Sequence, residues 1–457
     1  MRLPRLTRYD RLALVLLGLV LLVRLPLALL VAPPVVTDAQ GYEAAAFRLT
    51  ENGSFSFPLL TSGNWAIENG DLVVTEAGRV AHLSAPRNAY TLPGYPAFRA
   101  VLIKAAGDTY DSRKWTRAAQ ALLSVLIAGL IYVIGRRFGA RTGLLALVMA
   151  AMYPPFAMAN SYLQTEVLFT FLLLASVYWF VRWSDSLSWV DALAAAAVFG
   201  LSLWVRPAIA LWAPVAAGIV VLRARPRRGR AVVQAIAIGV IIAAVMMPWW
   251  VRNAELYNRF VPFSTSSAVT AIEAIRMDVA VQLPYPWQSE PPSQTPDQAS
   301  IERLTAVALA SPQPDVANDV ELNAHFDSAL STLQATMLRD YRSTAITSRL
   351  RSIAVSFFWP FAVPKSAYGG LPFLVSWLAH VALLVLFVCG VALAPRRTDT
   401  WLLISLPLYT VLLHMLIIPF HRYYFPAMPA VAIIAAIGLD RLLNRAGVVV
   451  RDEGDLQ

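Results

Sequence analysis

The sequence predicts an all-α polytopic membrane protein, and three observations carry that prediction. Hydrophobic residues make up 58% of the 457 and charged residues only 14%, too apolar a mixture for a water-soluble fold. Apolar runs close to the ~20 residues needed to cross the hydrocarbon core recur about ten times. Arginine clusters fall in alternate gaps between those runs, as they do in loops that obey the positive-inside rule.

The first run extends from about Leu12 to Val36, preceded by Arg2, Arg5, Arg8 and Arg11. It is too long for a cleaved signal peptide and contains Arg24, so it reads as an anchor. Further runs lie near Trp115 to Gly135, Thr142 to Ala157, Leu163 to Val181, Ala192 to Val205, Ala208 to Leu222 and Ala231 to Val251. The last three lie near Leu371 to Ala394, Trp401 to Pro419 and Pro426 to Leu443. The fifth and sixth are short, which predicts tilted or re-entrant helices around Arg206-Pro207.

The N-terminal arginines, Arg136-Arg137 with Arg141, the Arg223 to Arg230 run, Arg396-Arg397, and Arg441 with Arg445 all fall on one side, which the positive-inside rule makes cytoplasmic. The expected division is a tail and first span (1–36), a first extracytoplasmic loop (37–114), a transmembrane bundle (115–251), a second extracytoplasmic segment (252–352), a C-terminal membrane region (353–443) and a cytoplasmic tail (444–457). The expected location is a bacterial inner membrane. The formal net charge of +10 therefore marks topology and not nucleic acid. The single Cys389 lies in an apolar run, so neither a disulfide framework nor a cysteine metal site is available.

Loops as long as the two outward segments usually carry function. The first opens with Thr37-Asp38-Ala39-Gln40-Gly41-Tyr42, and a helix there puts Asp38 and Tyr42 on one face, continued by Ala45 and Leu49. The plain alternative is that Asp38 only caps that helix. In the second segment, Asn318 and Glu321 suggest a capping pair after a proline-rich stretch from Pro284 to Pro296. Val320, Phe326, Leu330, Leu333, Met337 and Tyr341 follow as an apolar stripe suited to packing.

Polar residues also recur at the outward ends of the spans. Glu166 opens the fourth, Arg206 lies between the two short ones, Arg252 and Asn253 follow Pro248-Trp249-Trp250, and His421, Arg422, Tyr423 and Tyr424 precede the last. Each has an ordinary explanation, as a helix-start acid, a charged turn or a snorkelling interfacial cation. Together they gather cations and two acids on the side where the positive-inside rule would not put them.

A sugar donor carried on a lipid phosphate explains that gathering. Its phosphate rests at headgroup level, where arginines at span ends pair with the oxygens while the isoprenoid tail lies between helices. A phosphate leaves as a stable anion and needs no general acid, but an acceptor hydroxyl needs a base. Asp38 fits the base; Arg252 and Arg422 fit the phosphate site, with Arg206 or Arg24 as a further partner.

The arrangement resembles the membrane glycosyltransferases of the C superfamily, specifically the bacterial relatives of protein O-mannosyltransferases and of the lipid A aminoarabinose transferase. The resemblance rests on Asp38 with Tyr42, Leu92-Pro93-Gly94-Tyr95-Pro96, Gln164-Thr165-Glu166-Val167-Leu168-Phe169, Val205-Arg206-Pro207, Pro248-Trp249-Trp250-Val251-Arg252-Asn253 and Arg422-Tyr423-Tyr424-Phe425-Pro426. It implies that Asp38 is the catalytic base and that Glu166 matches a second acidic position. Tyr42, Glu43, Tyr95, Arg206, Arg252, Asn253, His421, Arg422 and Tyr423 join Glu166 as substrate-binding candidates. Many relatives have adjacent acids in the first loop, whereas here Ala39 follows Asp38 and the next acid is Glu43. A divalent metal is compatible with such acids, but no spaced histidine cluster calls for one.

The implied activity is transfer of a hexose or pentose from a polyprenyl-phosphate donor to a lipid, glycan or protein acceptor by inverting displacement, within a bilayer whose lipids are its other partners. Two rivals are an oligosaccharide ligase or polymerase using pyrophosphate-linked glycans, and a lipid or glycan flippase without chemistry.

Overall fold

The computed structural model describes residues 6–35, 38–57, 64–68, 71–76, 79–82, 87–107, 109–280, 295–310, 319–360, 370–417 and 419–447. Its helices in chain order are α1 (Arg8–Leu30), α2 (Asp38–Asn52), α3 (Gly94–Ala106), α4 (Thr109–Gly135), α5 (Ala140–Met152), α6 (Pro154–Met158), α7 (Glu166–Ser186), α8 (Trp189–Leu203) and α9 (Trp212–Arg223). They continue with α10 (Arg228–Tyr257), α11 (Ser267–Ala280), α12 (Pro296–Ala310), α13 (Asp319–Asp340), α14 (Arg342–Phe358), α15 (Leu371–Leu393), α16 (Thr398–Leu416), α17 (His421–Tyr424) and α18 (Met428–Arg445).

Among the described residues, seven helices are long and apolar enough to cross a membrane, and a pair bent by 64° at Tyr153 raises the number to as many as eight. Pro154 and Pro155 account for the bend, since proline disfavours helical geometry in the residue before it and lacks an amide donor. The two short apolar runs form α8 and α9. Each of the ten expected runs is thus helical, and the protein is a multi-pass membrane protein.

The first run ends earlier than expected, at Leu30, with Pro33 and Pro34 beyond it. The segment between α1 and α3 is not purely helical. After α2 it forms a three-stranded antiparallel sheet of β1 (Asn64–Glu68), β2 (Asp71–Glu76) and β3 (Arg79–His82), in that spatial order. Strands this short leave no signal in a search for 20-residue runs, but Asn69-Gly70 between Glu68 and Asp71 is a hairpin sequence.

The bundle is held by aromatic packing and a few buried polar bonds. Phe180, Trp183, Phe199 and Trp212 meet edge-on or tilted where α7, α8 and α9 join. The Trp183 indole donates to Gln234 Oε1 at 2.8 Å. Gly390 and Gly438 let α15 and α18 touch: a Cβ on Gly390 would lie 2.0 Å from the Ile434 carbonyl oxygen, so a side chain there would force the helices apart.

The second segment has its own small core. Ile272, Ile275 and Val279 of α11, Ile301 of α12, and Phe326, Leu333 and Met337 of α13 are buried together. The expected stripe on α13 is packing; the Asn318 cap and the Pro284 to Gln294 stretch lie outside the described residues. Ser352 and Ser356 of α14 donate to the Pro419 carbonyl, tying this segment to the chain just before α17.

The arginine clusters converge on one end of the bundle. Arg136 pairs with Asp10 at 2.6 Å, Arg137 with Asp185 and Asp399, and Arg141 with Asp440. Arg223 donates to the Arg396 carbonyl. Glu166 lies at the other end of α7, roughly 30 Å from Asp185 at 1.5 Å per helical residue.

Candidate active site

Asp38 stands in the first turn of α2, the helix that begins shortly after α1 ends. The helical phase turns Tyr42 and Ala45 inward. The Tyr42 ring meets Phe57 and Tyr95 edge-on, at centroid distances of 5.7 and 5.3 Å. Gly94 makes that contact feasible. Its amide donates to the Trp204 carbonyl at 2.9 Å, and a Cβ would sit 2.6 Å from the same oxygen, so only glycine lets α3 start here.

Arg422, on the short α17, donates to Asp38 Oδ2 at 2.7 Å and lies 3.4 Å from Glu166 Oε1. Arg206 occupies the extended break between α8 and α9, donates to Thr165 Oγ1 at 2.7 Å, and pairs with the same Glu166 oxygen. Tyr423 lies between the two guanidiniums, 5.1 Å from that of Arg206 and 5.3 Å from that of Arg422. Four charges separated by up to 384 residues therefore form one chain, Asp38–Arg422–Glu166–Arg206. Two acids and two bases balance it.

The Asp38 carboxyl is 44% exposed, whereas the Glu166 side chain is 2% exposed. Burial raises the Asp38 pKa, but the Arg422 guanidinium, with Arg206 behind it, more than reverses this and holds it below the ordinary carboxylate value. At neutral pH Asp38 is an accessible carboxylate. Glu166 is more than a helix-start acid, since it bridges both arginines, and its Oε2 has no hydrogen-bond partner among the described residues.

Other expected site residues stand elsewhere. Arg252 bonds to the carbonyls of Phe55 and Asn88, each at 3.0 Å, and covers the Trp249 ring. Asn253 accepts from Arg252 and donates to the Val261 carbonyl. Arg252 thus fastens Phe55 and Asn88 to the end of α10, and Asn253 fastens the chain just after α10 back onto it. Arg24 likewise spans to the Ser124 and Ala150 carbonyls, which explains an arginine inside α1 without any phosphate.

Tyr95 is fully buried and donates to Gln120 at 2.9 Å, so it supports the Tyr42 ring from behind. Glu43 is gripped bidentately by Arg113, at 2.8 and 3.1 Å, with Arg99 3.5 Å away. His421 contacts Phe420, at a centroid distance of 4.3 Å.

Three participants escaped sequence reasoning. Thr165 seats Arg206, Gln120 fixes Tyr95, and His414 stacks flat on Tyr423 at 5.0 Å. Gln120 and His414 lie inside apolar helices, where an isolated polar residue was the available signal. Among the described residues, no group of three or more His, Cys, Asp or Glu converges as a metal site would require.

Residues 96–251, about a third of the chain, match the family described as dolichyl-phosphate-mannose-protein mannosyltransferase. The match spans Glu166, Arg206 and all but the first two residues of α3. Over that third of its length the chain is similar to the protein mannosyltransferases. No curated protein matches it in sequence. Two solved structures of ArnT from Cupriavidus metallidurans are similar. The one bound to undecaprenyl phosphate has 16% identity and the apo form 14%, each with a TM-score of 0.41, covering 95% of this chain and 79% of ArnT.

Proposed function

We propose that this protein transfers a single sugar from a polyprenyl-phosphate carrier to a lipid, glycan or protein acceptor on the extracytoplasmic face of a bacterial inner membrane. The observation that carries the reading is the Asp38–Arg422–Glu166–Arg206 chain, in which an exposed carboxylate is ion-paired to an arginine at the end of a membrane helix. The similarity of residues 96–251 to the dolichyl-phosphate-mannose-protein mannosyltransferase family supports the lipid-phosphate donor.

In the proposed reaction, Arg422 and Arg206 pair with the donor phosphate, forming hydrogen bonds that a planar guanidinium can make two at a time. The acceptor hydroxyl gives its proton to Asp38 as its oxygen bonds to the anomeric carbon. The bond from that carbon to the phosphate oxygen breaks, and the lipid phosphate leaves with the electron pair. A single displacement inverts the anomeric centre.

The Asp38–Arg422 pair gives the phosphate a second task. As long as Arg422 holds Asp38, the carboxylate is a weak base. A phosphate that draws Arg422 towards itself weakens that hold and raises the basicity of Asp38, so the base strengthens when the donor is bound.

The test is transfer from a synthetic polyprenyl-phosphate sugar in proteoliposomes, with donor binding measured in parallel. Asp38→Asn should lower turnover by roughly a hundred- to ten-thousand-fold, with donor affinity changed far less. Near-normal transfer by a folded Asp38→Asn protein would remove this base. The proposed face is checked separately by replacing Cys389 with serine and labelling a cysteine placed at the exposed Ser331; labelling from the cytoplasm alone would reverse the orientation.

A further inference from the structure

A cavity of about 560 Å³ opens at the arginine-rich end of the bundle, the end away from Asp38. It is lined by Asp185 at the end of α7, Leu222 and Arg223 at the end of α9, Arg225 in the link to α10, and Arg396 to Asp399 in the turn into α16. Its two acids are already neutralised: Asp185 pairs with Arg137, and Asp399 pairs with Arg397 at 2.7 Å and Arg137 at 3.5 Å. Arg223 spends a donor on the Arg396 carbonyl. The Arg225 and Arg396 guanidiniums, both exposed, have no ion-pair partner among the described residues.

The positive-inside rule alone explains arginines on this face, but not a cavity walled by four of them from two separate stretches of chain. Nor does it explain the apolar surface beside them. Val215 and Leu222, two turns apart, are exposed along α9, and Trp401 and Leu408 are exposed along α16. The two helices are joined by the Trp212 indole bond to Ser405 Oγ at 3.1 Å. Trp401 lies one turn inside α16, at the level where tryptophan marks the membrane interface. A cationic cavity opening onto an apolar face matches a molecule with an anionic head and hydrocarbon chains.

We propose that this cavity holds the phosphate headgroup of an anionic phospholipid, with Arg225 and Arg396 as its main cationic partners and the acyl chains lying along α9 and α16. The site is separate from the one proposed for the sugar donor.

The test titrates the full-length protein in detergent with phosphatidylglycerol and with phosphatidylcholine of the same chain length, counting bound lipids by native mass spectrometry. Wild type should bind one phosphatidylglycerol in clear preference to phosphatidylcholine. Arg225→Gln with Arg396→Gln should lower phosphatidylglycerol affinity by roughly ten- to thirtyfold, as expected for two arginines near an anionic headgroup. Arg441→Gln with Arg445→Gln removes two exposed charges at the end of α18, outside the cavity, and should leave the preference intact. Equal loss in both pairs would reduce the effect to general surface charge and overturn the site, as would no loss in the first. Displacement of the lipid by glycerol phosphate at the same concentration would show a small-anion site and overturn the assignment to a lipid. Arg225→Lys with Arg396→Lys controls for folding, and should keep much of the affinity because charge is preserved.

Discussion

Asp38 and Glu43 lie five residues apart on the same helix, and their surroundings separate their roles. Glu43 is 2% exposed, with both oxygens held by Arg113 and Arg99 beside it. Asp38 is 44% exposed, with Oδ2 bonded to Arg422. A proton acceptor must reach its substrate and must change charge during the reaction. Glu43 can do neither without giving up its pairing with Arg99 and Arg113, whereas Asp38 has one ion-pair partner among the described residues, which a phosphate can share. The missing neighbour of Asp38, where this chain has Ala39, is therefore not replaced by Glu43.

The largest expected effect would break this comparison from the structural side. Glu43→Gln removes the carboxylate that faces Arg99 and Arg113 in a buried setting, a loss of roughly 3–5 kcal/mol where one partner of a buried pair is removed. Thermal unfolding should show a large drop for Glu43→Gln and little change for Asp38→Asn. The reverse order would mean that Asp38, not Glu43, is the structural acid.

Arg422→Lys comes next. It keeps the charge but loses the planar fork, and should cut transfer by roughly ten- to a hundredfold while the protein stays folded. Arg422→Gln adds a pH readout. Removing the guanidinium lets burial dominate, so the Asp38 pKa rises. Residual transfer needs the carboxylate, so its acid limb should move to higher pH. An unmoved limb would disconnect Arg422 from the base.

Arg252→Lys should cost roughly 1–3 kcal/mol of stability through the lost bonds to Phe55 and Asn88, with donor affinity nearly unchanged. A donor-binding defect with normal stability would return Arg252 to the phosphate site.

The smallest effect lies at Asp278, in the helical core of the second segment. Burial raises its pKa to about 6, against the pull of Arg349 at 2.7 Å. The folded state thus holds a proton that the unfolded chain releases near pH 4. Its contribution is fully present below that value and is lost as pH rises through about 6. This segment should resist proteolysis slightly better at pH 5 than at pH 7.5, and Asp278→Asn should flatten the difference.

The membrane body was legible because its signal is local: runs such as Leu371 to Ala394 state their own length and polarity. The small sheet and the bend at Tyr153 were not, since the first has strands of four to six residues and the second depends on what two prolines do to one apolar run. At the candidate site, sequence reading found Asp38, Glu166, Arg206 and Arg422, and the fold brings them together. It could not divide the arginines into those that face the cleft and those, such as Arg252 and Arg24, that brace carbonyls. That division depends on where Asn88 or Ala150 comes to lie, which no spacing in the chain reveals.

Single-turnover transfer, with donor prebound and acceptor added, tests the central claim most directly because it removes donor affinity from the measured rate. Asp38→Asn should slow the transfer step by roughly a hundred- to ten-thousand-fold at saturating donor. A transfer step within a few-fold of wild type would contradict the assignment of Asp38 as the base.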